Sequence, residues 1–444
     1  LDGVLVSAPE VPGDLSSVKP IDKNITLVRE LKLFGHYIII TTSRLMIEHS
    51  GNVNAVIAAC GNVTLQTLAK LDIPYDEIHF GQPHADLYID RSVAHASNDT
   101  EKDIGWRVFS STSKSTNETG MVAARHFNNI ALEGDMVIKT AATSVLKGEM
   151  FFYSHMPADI ADLFPQLIAC STPRNALEVT DGSGLVMPPS PSSNTPVASM
   201  TLARIHGVTF SHLVTARSLT SGRLNLLLAA LHRLHSSAGD SASRVELDAS
   251  QMCSNYLPKI SRRYDKYRGL YLNLCADADS MFAQISHALS RYQAEERYVL
   301  SHVVHGDPVF SNVLLTTDPR IYLLDMRGEL GEIMTLQGDV LYDLSKVYQS
   351  LFGYDYIILG QPAAERDYEL LEELRDTFRS FVAEHYPKVC IPDVEMLTAS
   401  HYFGIVPLHT NKQHQLAYLQ TCAALLSRID TDPSEHHLDA PSTA

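Results

Sequence analysis

His305-Gly306-Asp307-Pro308-Val309-Phe310-Ser311-Asn312 is followed thirteen residues later by Asp325, in Leu323-Leu324-Asp325-Met326-Arg327. The segment ahead of it, Tyr298 to Val304, is strand-like. So are Val313-Leu314-Leu315 and Ile321-Tyr322-Leu323-Leu324, with Thr317-Asp318-Pro319 supplying a turn between them. The midpoint between positions 312 and 325 falls at Asp318-Pro319, so an antiparallel hairpin folded there sets Asn312 across from Asp325. An amide and a carboxylate then converge on one point, with Asp307 close by on the preceding loop. Phosphoryl transfer needs this set: an acid to orient the attacking hydroxyl, and oxygen ligands to hold Mg²⁺. A hairpin whose Asn and Asp merely cap turns would not require His305, Asp307, Asn312 and Asp325 together at this spacing.

The pattern His-x-Asp-x-x-x-x-Asn with a later strand-end Asp resembles the core of the kinase-like small-molecule phosphotransferases. That group includes the aminoglycoside phosphotransferases and the choline/ethanolamine kinases. The resemblance implies an α+β bilobal protein-kinase-like fold for the carboxy-terminal part of the chain. It implies Asp307 as catalytic base, Asn312 and Asp325 as Mg²⁺ ligands, and His305 as a scaffold of the loop. Such an enzyme also needs a cation on the α/β-phosphates of ATP, held by an acid from a neighbouring helix. Met136-Val137-Ile138-Lys139-Thr140 offers Lys139 on an apolar strand, and Glu149 follows ten residues on at the start of a helical stretch. The Gly-rich loop of protein kinases is missing, and Arg125-His126-Phe127-Asn128-Asn129-Ile130 occupies the expected hairpin. Asp181-Gly182-Ser183-Gly184 reads as a turn rather than a phosphate cradle. Leu202-Ala203-Arg204-Ile205-His206-Gly207-Val208 falls where a hinge between two lobes would lie, so backbone groups around Arg204 would meet an adenine edge. Gly338-Asp339-Val340-Leu341-Tyr342-Asp343-Leu344 also resembles the family, in which the acids corresponding to Asp339 and Asp343 brace the catalytic loop. Arg327 would pair either with phosphate or with one of these two acids, the second being favoured.

The other end of the chain carries a second resemblance. Leu1-Asp2-Gly3-Val4-Leu5 resembles the opening of the haloacid dehalogenase superfamily, whose motif is Asp-x-Asp-Gly. The run from Ile73 to Asp90 resembles its capsule-biosynthesis phosphatase branch. This implies a partial α/β Rossmann-like domain over residues 1–100. Asp2 would match the second motif acid, Thr41 or Thr42 the phosphate-binding hydroxyl, and Asp2 and Asp90 would be metal ligands. The nucleophile would sit just upstream of Leu1. Gln82 stands where that branch has a Lys, and Arg91 where a second acid is common, with Arg44 or Arg91 available to compensate. Losing the Lys should cost orders of magnitude in rate, so this domain is expected to be inactive.

Composition bounds the remaining alternatives. At 444 residues the chain suggests two or three domains, and 45% apolar with 19% charged residues is ordinary for a globular protein. A formal net charge of −16 argues against a nucleic-acid partner. The densest basic stretch, Ser261-Arg262-Arg263-Tyr264-Asp265-Lys266-Tyr267-Arg268, reads as a solvated helix face in preference to a segment that helps hold an anionic nucleotide. No run approaches the roughly 18 apolar residues of a membrane span. Six scattered cysteines without a C-x-x-C pair suit a reducing compartment and no structural zinc, so a cytoplasmic location is expected. The chain begins without Met, so a targeting segment upstream stays open.

Along the chain, Pro20 marks a helix start, Gly35 a stop and Tyr37 to Ile40 a buried strand. A helix follows from Thr64 to Leu71, then a strand at Leu87-Tyr88-Ile89. A sheet lobe is expected over residues 106–202, with a Pro/Ser insertion near 186–199. A helical lobe is expected over 203–430, followed by a disordered tail over 432–444. Thr220 or Ser221 can cap a helix carrying Leu224, Leu227, Leu228, Leu231 and Leu234 at helical spacing, with His232 and His235 expected on its exposed side. The expected function is ATP- and Mg²⁺-dependent phosphorylation of a small-molecule hydroxyl (a sugar, an amino alcohol, or a polysaccharide or lipid head-group precursor). Two alternatives stay open: a phosphatase with a nucleotide-sensing second half, and a non-catalytic nucleotide-binding scaffold.

Overall fold

The computed structural model describes residues 1–11, 13–33, 35–83, 129–171, 197–241, 244–361 and 363–430. The chain forms two compact units. The first comprises Leu1–Met121, His206–Leu219 and Leu315–Arg320, and the second Val122–Ile205, Thr220–Leu314 and Ile321–Ala444.

In the first unit, α1 (Asp22–Leu33) has Asp22 in its first turn and Lys32 in its last, which suits the helix dipole. It stops at Gly35 (φ +88°), where Gly35 N–H donates to Lys32 O and His36 N–H to Leu31 O, a Schellman closure. Strand β1 (Ile39–Thr42) runs parallel to β2 (Glu77–Phe80), in the register Ile39 to Glu77 and Thr42 to Phe80. The crossover between them is α2 (Val53–Lys70), capped by Asn52, whose side chain accepts from Ala55 N at 3.2 Å. This helix starts well before Thr64, because Asn52 is the stronger start signal. Leu5, Ile25, Ile40, Leu68 and Ile73 pack into one core.

Among the described residues the parallel sheet of this unit has two strands, and nothing here supports a separate haloacid-dehalogenase-type Rossmann domain. The strand expected at 87–89, Asp90 and Arg91 lie outside the described residues. So do most of the hairpin expected at 125–130, the turn at 181–184 and the insertion at 186–199.

The second unit pairs a sheet with a helical bundle. Strands β3 (Asn129–Glu133), β4 (Met136–Ala142), β5 (Leu167–Ser171) and β6 (Val197–Ala203) form an antiparallel sheet in the order β3-β4-β6-β5. Alternation along β4 and β6 buries Lys139 and Ala141 with Ala198, Met200 and Leu202. Helix α3 (Thr143–His155) follows β4 directly and buries Leu146, Gly148, Glu149, Phe152 and Tyr153.

The bundle is built from α4 (Ser221–Ser236), α5 (Leu257–Leu274), α6 (Ala278–Ala294), α7 (Val340–Leu351), α8 (Glu365–His385), α9 (Ile391–Ile405) and α10 (Lys412–Asp430). Thr220 caps α4 by accepting from Arg223 N at 3.3 Å, and the helix buries Leu224, Leu227, Leu228, Leu231 and Leu234. Helix α9 is buried from Asp393 through Ile405, as expected of a helix packed on all sides.

The strand expected from Tyr298 to Val304 contracts to Leu300–Ser301, paired antiparallel with Gly338–Asp339. Strands β7 (Val313–Leu315) and β8 (Ile321–Leu323) are neighbours, and Leu324 N–H donates to Asn312 O at 2.9 Å. Among the described residues no helix is long and apolar enough to cross a membrane. All six cysteines are free.

Candidate active site

The loop after residue 304 is shaped by one buried carboxylate. Asp343, in the first turn of α7, accepts His305 N–H on Oδ2 and Gly306 N–H on Oδ1, both at 2.7 Å. Its Oδ2 also meets His235 Nε2 at 3.0 Å, and His235 Nδ1 meets the Tyr386 hydroxyl at 2.8 Å. His235 therefore does not ride in solvent as the α4 pattern suggests. Its side chain is 3% exposed, because a buried carboxylate needs donors on every lone pair it can fill.

Asp339 caps α7 and accepts four bonds, from the Tyr256 and Tyr292 hydroxyls and from Val299 and Leu341 N–H. Burial pushes its carboxyl pKa up, and those donors only partly offset this. Gly306 adopts φ +83°, and a Cβ there would stand 2.7 Å from Arg327 Cγ, so the position requires glycine.

His305 Nδ1 accepts from Asp307 N–H at 3.1 Å, which places the ring proton on Nε2. Burial holds the His305 pKa below its ordinary value against the pull of Asp343 and Asp307. Asn312 Nδ2 donates to Asp307 O at 2.9 Å and closes the loop, leaving its side-chain oxygen as the group it can offer a ligand. The Asp307 carboxylate lies between two cations, Arg327 Nη2 on Oδ2 and Lys346 Nζ 3.3 Å from Oδ1. Arg327 thus pairs with Asp307 itself and not with Asp339 or Asp343: Asp343 is taken up by the loop's backbone donors, and Asp339 by two tyrosine hydroxyls and the Val299 and Leu341 N–H groups.

On the sheet side, Lys139 Nζ lies 2.7 Å from Glu149 Oε1 and forms a second ion pair with Asp325 Oδ1. Burial alone would lower the Lys139 pKa, but Asp325 and Glu149 outweigh it and raise it. Burial raises the Glu149 pKa more than Lys139 lowers it. Asp325 holds a left-handed backbone (φ +61°), an unfavourable conformation that recurs where function fixes a residue. Two carboxylates against one cation leave a surplus negative charge. The Asp325 carboxylate and the Asn312 side-chain oxygen are hard oxygen groups of the kind Mg²⁺ takes. Asp325 and Asn312 are the residues that would hold the ion.

Gly148 makes this approach of α3 possible. A Cβ at Gly148 would overlap the Arg327 carbonyl oxygen, and one at Gly328 (φ +58°) would overlap Gly148 O. Gly148→Ala should therefore move α3 and destabilise the protein by about 1–3 kcal/mol. A urea unfolding midpoint equal to wild type would contradict this close packing.

Beside the loop lies a cavity of ≈ 180 Å³, lined among others by Lys259 and Arg263 of α5, His305, Gly306, Arg327 and Tyr342. Arg262, Lys266 and Arg268 of the same basic stretch are exposed as expected, whereas Arg263 turns inward and donates to Gly404 O at 2.8 Å. Sequence reasoning missed Lys259, Lys346, His235 and Gly148. The one available signal was that Lys259 and Arg263 stand four apart and share a helix face.

The remaining expected positions fall elsewhere. Arg204 N–H donates to Asp135 O at 2.8 Å, so that amide is engaged in the β3–β4 turn region. In the first unit, the Asp2 carboxylate is engaged by an arginine. Arg44 Nε and Nη2 clamp its carboxylate at 2.7 and 2.6 Å, and among the described residues no group of three or more His, Cys, Asp or Glu is placed to hold a metal. Thr41 donates to Gln82 Oε1 at 2.9 Å, and buried Thr42 accepts from Arg44 N–H at 3.3 Å.

No family model matches the chain, and no curated protein matches it. Among solved structures, a structural-genomics target from Vibrio cholerae is 32% identical over a match covering 23% of this chain and 88% of that one, with a TM-score of 0.21. A choline kinase from Streptococcus pneumoniae is 11% identical, the match covering 71% of this chain and 92% of that one, with a TM-score of 0.42. An aminoglycoside phosphotransferase from Streptomyces rimosus is 13% identical, the match covering 63% of this chain and 92% of that one, with a TM-score of 0.39.

Proposed function

We propose that the protein is an ATP- and Mg²⁺-dependent phosphotransferase acting on a hydroxyl of a small molecule such as a sugar, an amino alcohol or a head-group precursor. The observation that carries this reading is the meeting of Lys139 and Glu149 with Asp325, across 186 residues of sequence, beside the loop that holds Asp307. A hairpin with capping acids has no reason to bury a lysine from a distant strand against its own carboxylate.

In this reading Lys139, oriented by Glu149, holds the nucleotide phosphates. Asp307 accepts the proton of the acceptor hydroxyl while that oxygen bonds to the γ-phosphorus and the bond to the ADP oxygen breaks. Arg327 and Lys346 keep the Asp307 carboxylate in one orientation. Mg²⁺, when bound, supplies neutralisation of phosphate charge, with Asp325 and Asn312 as its protein ligands.

We assign no phosphatase role to the first unit, since Asp2 is neutralised by Arg44. Labelled γ-phosphate should move from ATP to at least one compound in a pooled screen of hydroxylated metabolites. Release of inorganic phosphate alone, with no labelled product, would defeat the assignment.

A further inference from the structure

The cavity lined by His305 and Gly306, on the loop that goes on to Asp307, has an uneven charge balance. Five charged side chains line it: Lys259, Arg263, Arg327, Glu329 and Asp339. Both acids already have partners. Glu329 lies 3.3 Å from Lys147, and Asp339 accepts the four bonds described above. Arg327 is paired with Asp307.

Lys259 and Arg263 face no carboxylate within ion-pair distance among the described residues. Lys259 Nζ meets only the Tyr342 hydroxyl, at 3.4 Å, and the face of that ring at 5.9 Å. Arg263 has only the Gly404 carbonyl, at 2.8 Å. Burial next to Arg263 and Arg327 lowers the Lys259 pKa to about 8. Two partly buried cations one helical turn apart, unmatched by an acid, make a site for an anion. His305, on the same wall, adds an Nε2 with no hydrogen-bond partner among the described residues.

We propose that the acceptor already carries a negatively charged oxyanion group, bound by Lys259 and Arg263, while its hydroxyl is presented to Asp307. This rests on the phosphotransferase reading and narrows its substrate class. A cationic acceptor would meet like charge in this cavity, and a neutral one would leave both cations unmatched. At ≈ 180 Å³ the cavity is smaller than the roughly 300–1,000 Å³ of drug-sized sites, which suits a compact metabolite.

Calorimetric titration of the full chain with inorganic phosphate tests the site without knowledge of the acceptor. The nucleotide site is first filled with a non-hydrolysable ATP analogue and Mg²⁺. One phosphate should still bind, and its affinity should fall at least tenfold in Lys259→Met and in Arg263→Met. Affinity for the ATP analogue should stay within twofold in both variants. Thermal unfolding confirms that each variant is folded, and Lys259→Arg should restore phosphate binding, which a packing role alone would not require.

Absence of phosphate binding, equal binding in wild type and both variants, or a matching loss of analogue affinity would each overturn the proposal. If the ATP analogue itself does not bind, the phosphotransferase reading fails, and the phosphate titration without nucleotide still decides the anion site. Acceptors returned by the labelled-ATP screen should be anionic. A neutral or cationic acceptor with higher kcat/KM than its phosphorylated or carboxylated counterpart would overturn the proposal and leave the reading intact.

Discussion

Asp307→Asn is expected to lower kcat by about 10³-fold while ATP affinity changes less than twofold, a size typical of losing a positioned general base. The amide has nearly the same shape as the carboxylate, and the loop is fixed by other bonds. Asp343 holds His305 and Gly306 N–H, and Asn312 holds the Asp307 carbonyl, so the backbone at 307 should stay in place. What disappears is the acceptor for the hydroxyl proton. Arg327 and Lys346 lose their partner too; the Arg327 side chain is 51% exposed and stays hydrated, whereas Lys346 is only 12% exposed, so the variant should also lose some stability. Rates of labelled phosphate transfer, with a separate measurement of ATP binding, check this. Activity within tenfold of wild type would remove Asp307 from the reaction.

Lys139→Met should have the largest effect on stability. Lys139 and Glu149 are 5% and 7% exposed, and Asp325 leans on the same ammonium. Removing the cation leaves one buried and one half-buried carboxylate facing each other, a loss of about 3–5 kcal/mol for a broken buried pair. The pH dependence carries a sign. The folded-state pKa of Glu149 already lies above its ordinary value, and without Lys139 it must rise further. A carboxyl with a raised folded pKa binds more protons folded than unfolded, so stability falls as pH rises through that pKa. Urea unfolding should therefore show the variant most destabilised near pH 8 and partly rescued near pH 5. Adding Glu149→Met should recover much of the loss, because it removes the charge left unpaired. Additive destabilisation in the double variant would show that the pair does not act as a unit.

These expectations draw on two kinds of information. Gly35 ending α1, Thr220 capping α4 and the turn at Thr317-Asp318-Pro319 depend on residues within a few positions of one another. Backbone sterics and local hydrogen bonds act over that range, so the sequence reading located them. The same reading placed His235 in solvent, because helical spacing reports which face is apolar and not whether a polar residue has a buried acid opposite it. Likewise it offered Arg327 phosphate, Asp339 or Asp343, whereas Asp307 is the acid it meets. The choice among Asp307, Asp339 and Asp343 depends on which of them already have backbone donors.

The sequence by itself determined the chemistry on offer: an acid, an amide and a second acid around a hairpin, with a strand lysine and a helix glutamate upstream. It could do so because those residues sit at short, regular spacings that local geometry converts directly into position. Only the tertiary structure decided the partners. Lys139 meets Asp325 because α3, stripped of a side chain at Gly148, can lie against Arg327 and Gly328. Lys259 and Arg263 gain their meaning from a cavity whose acids are bonded elsewhere. Burial and charge balance are sums over distant segments, and no local spacing encodes them.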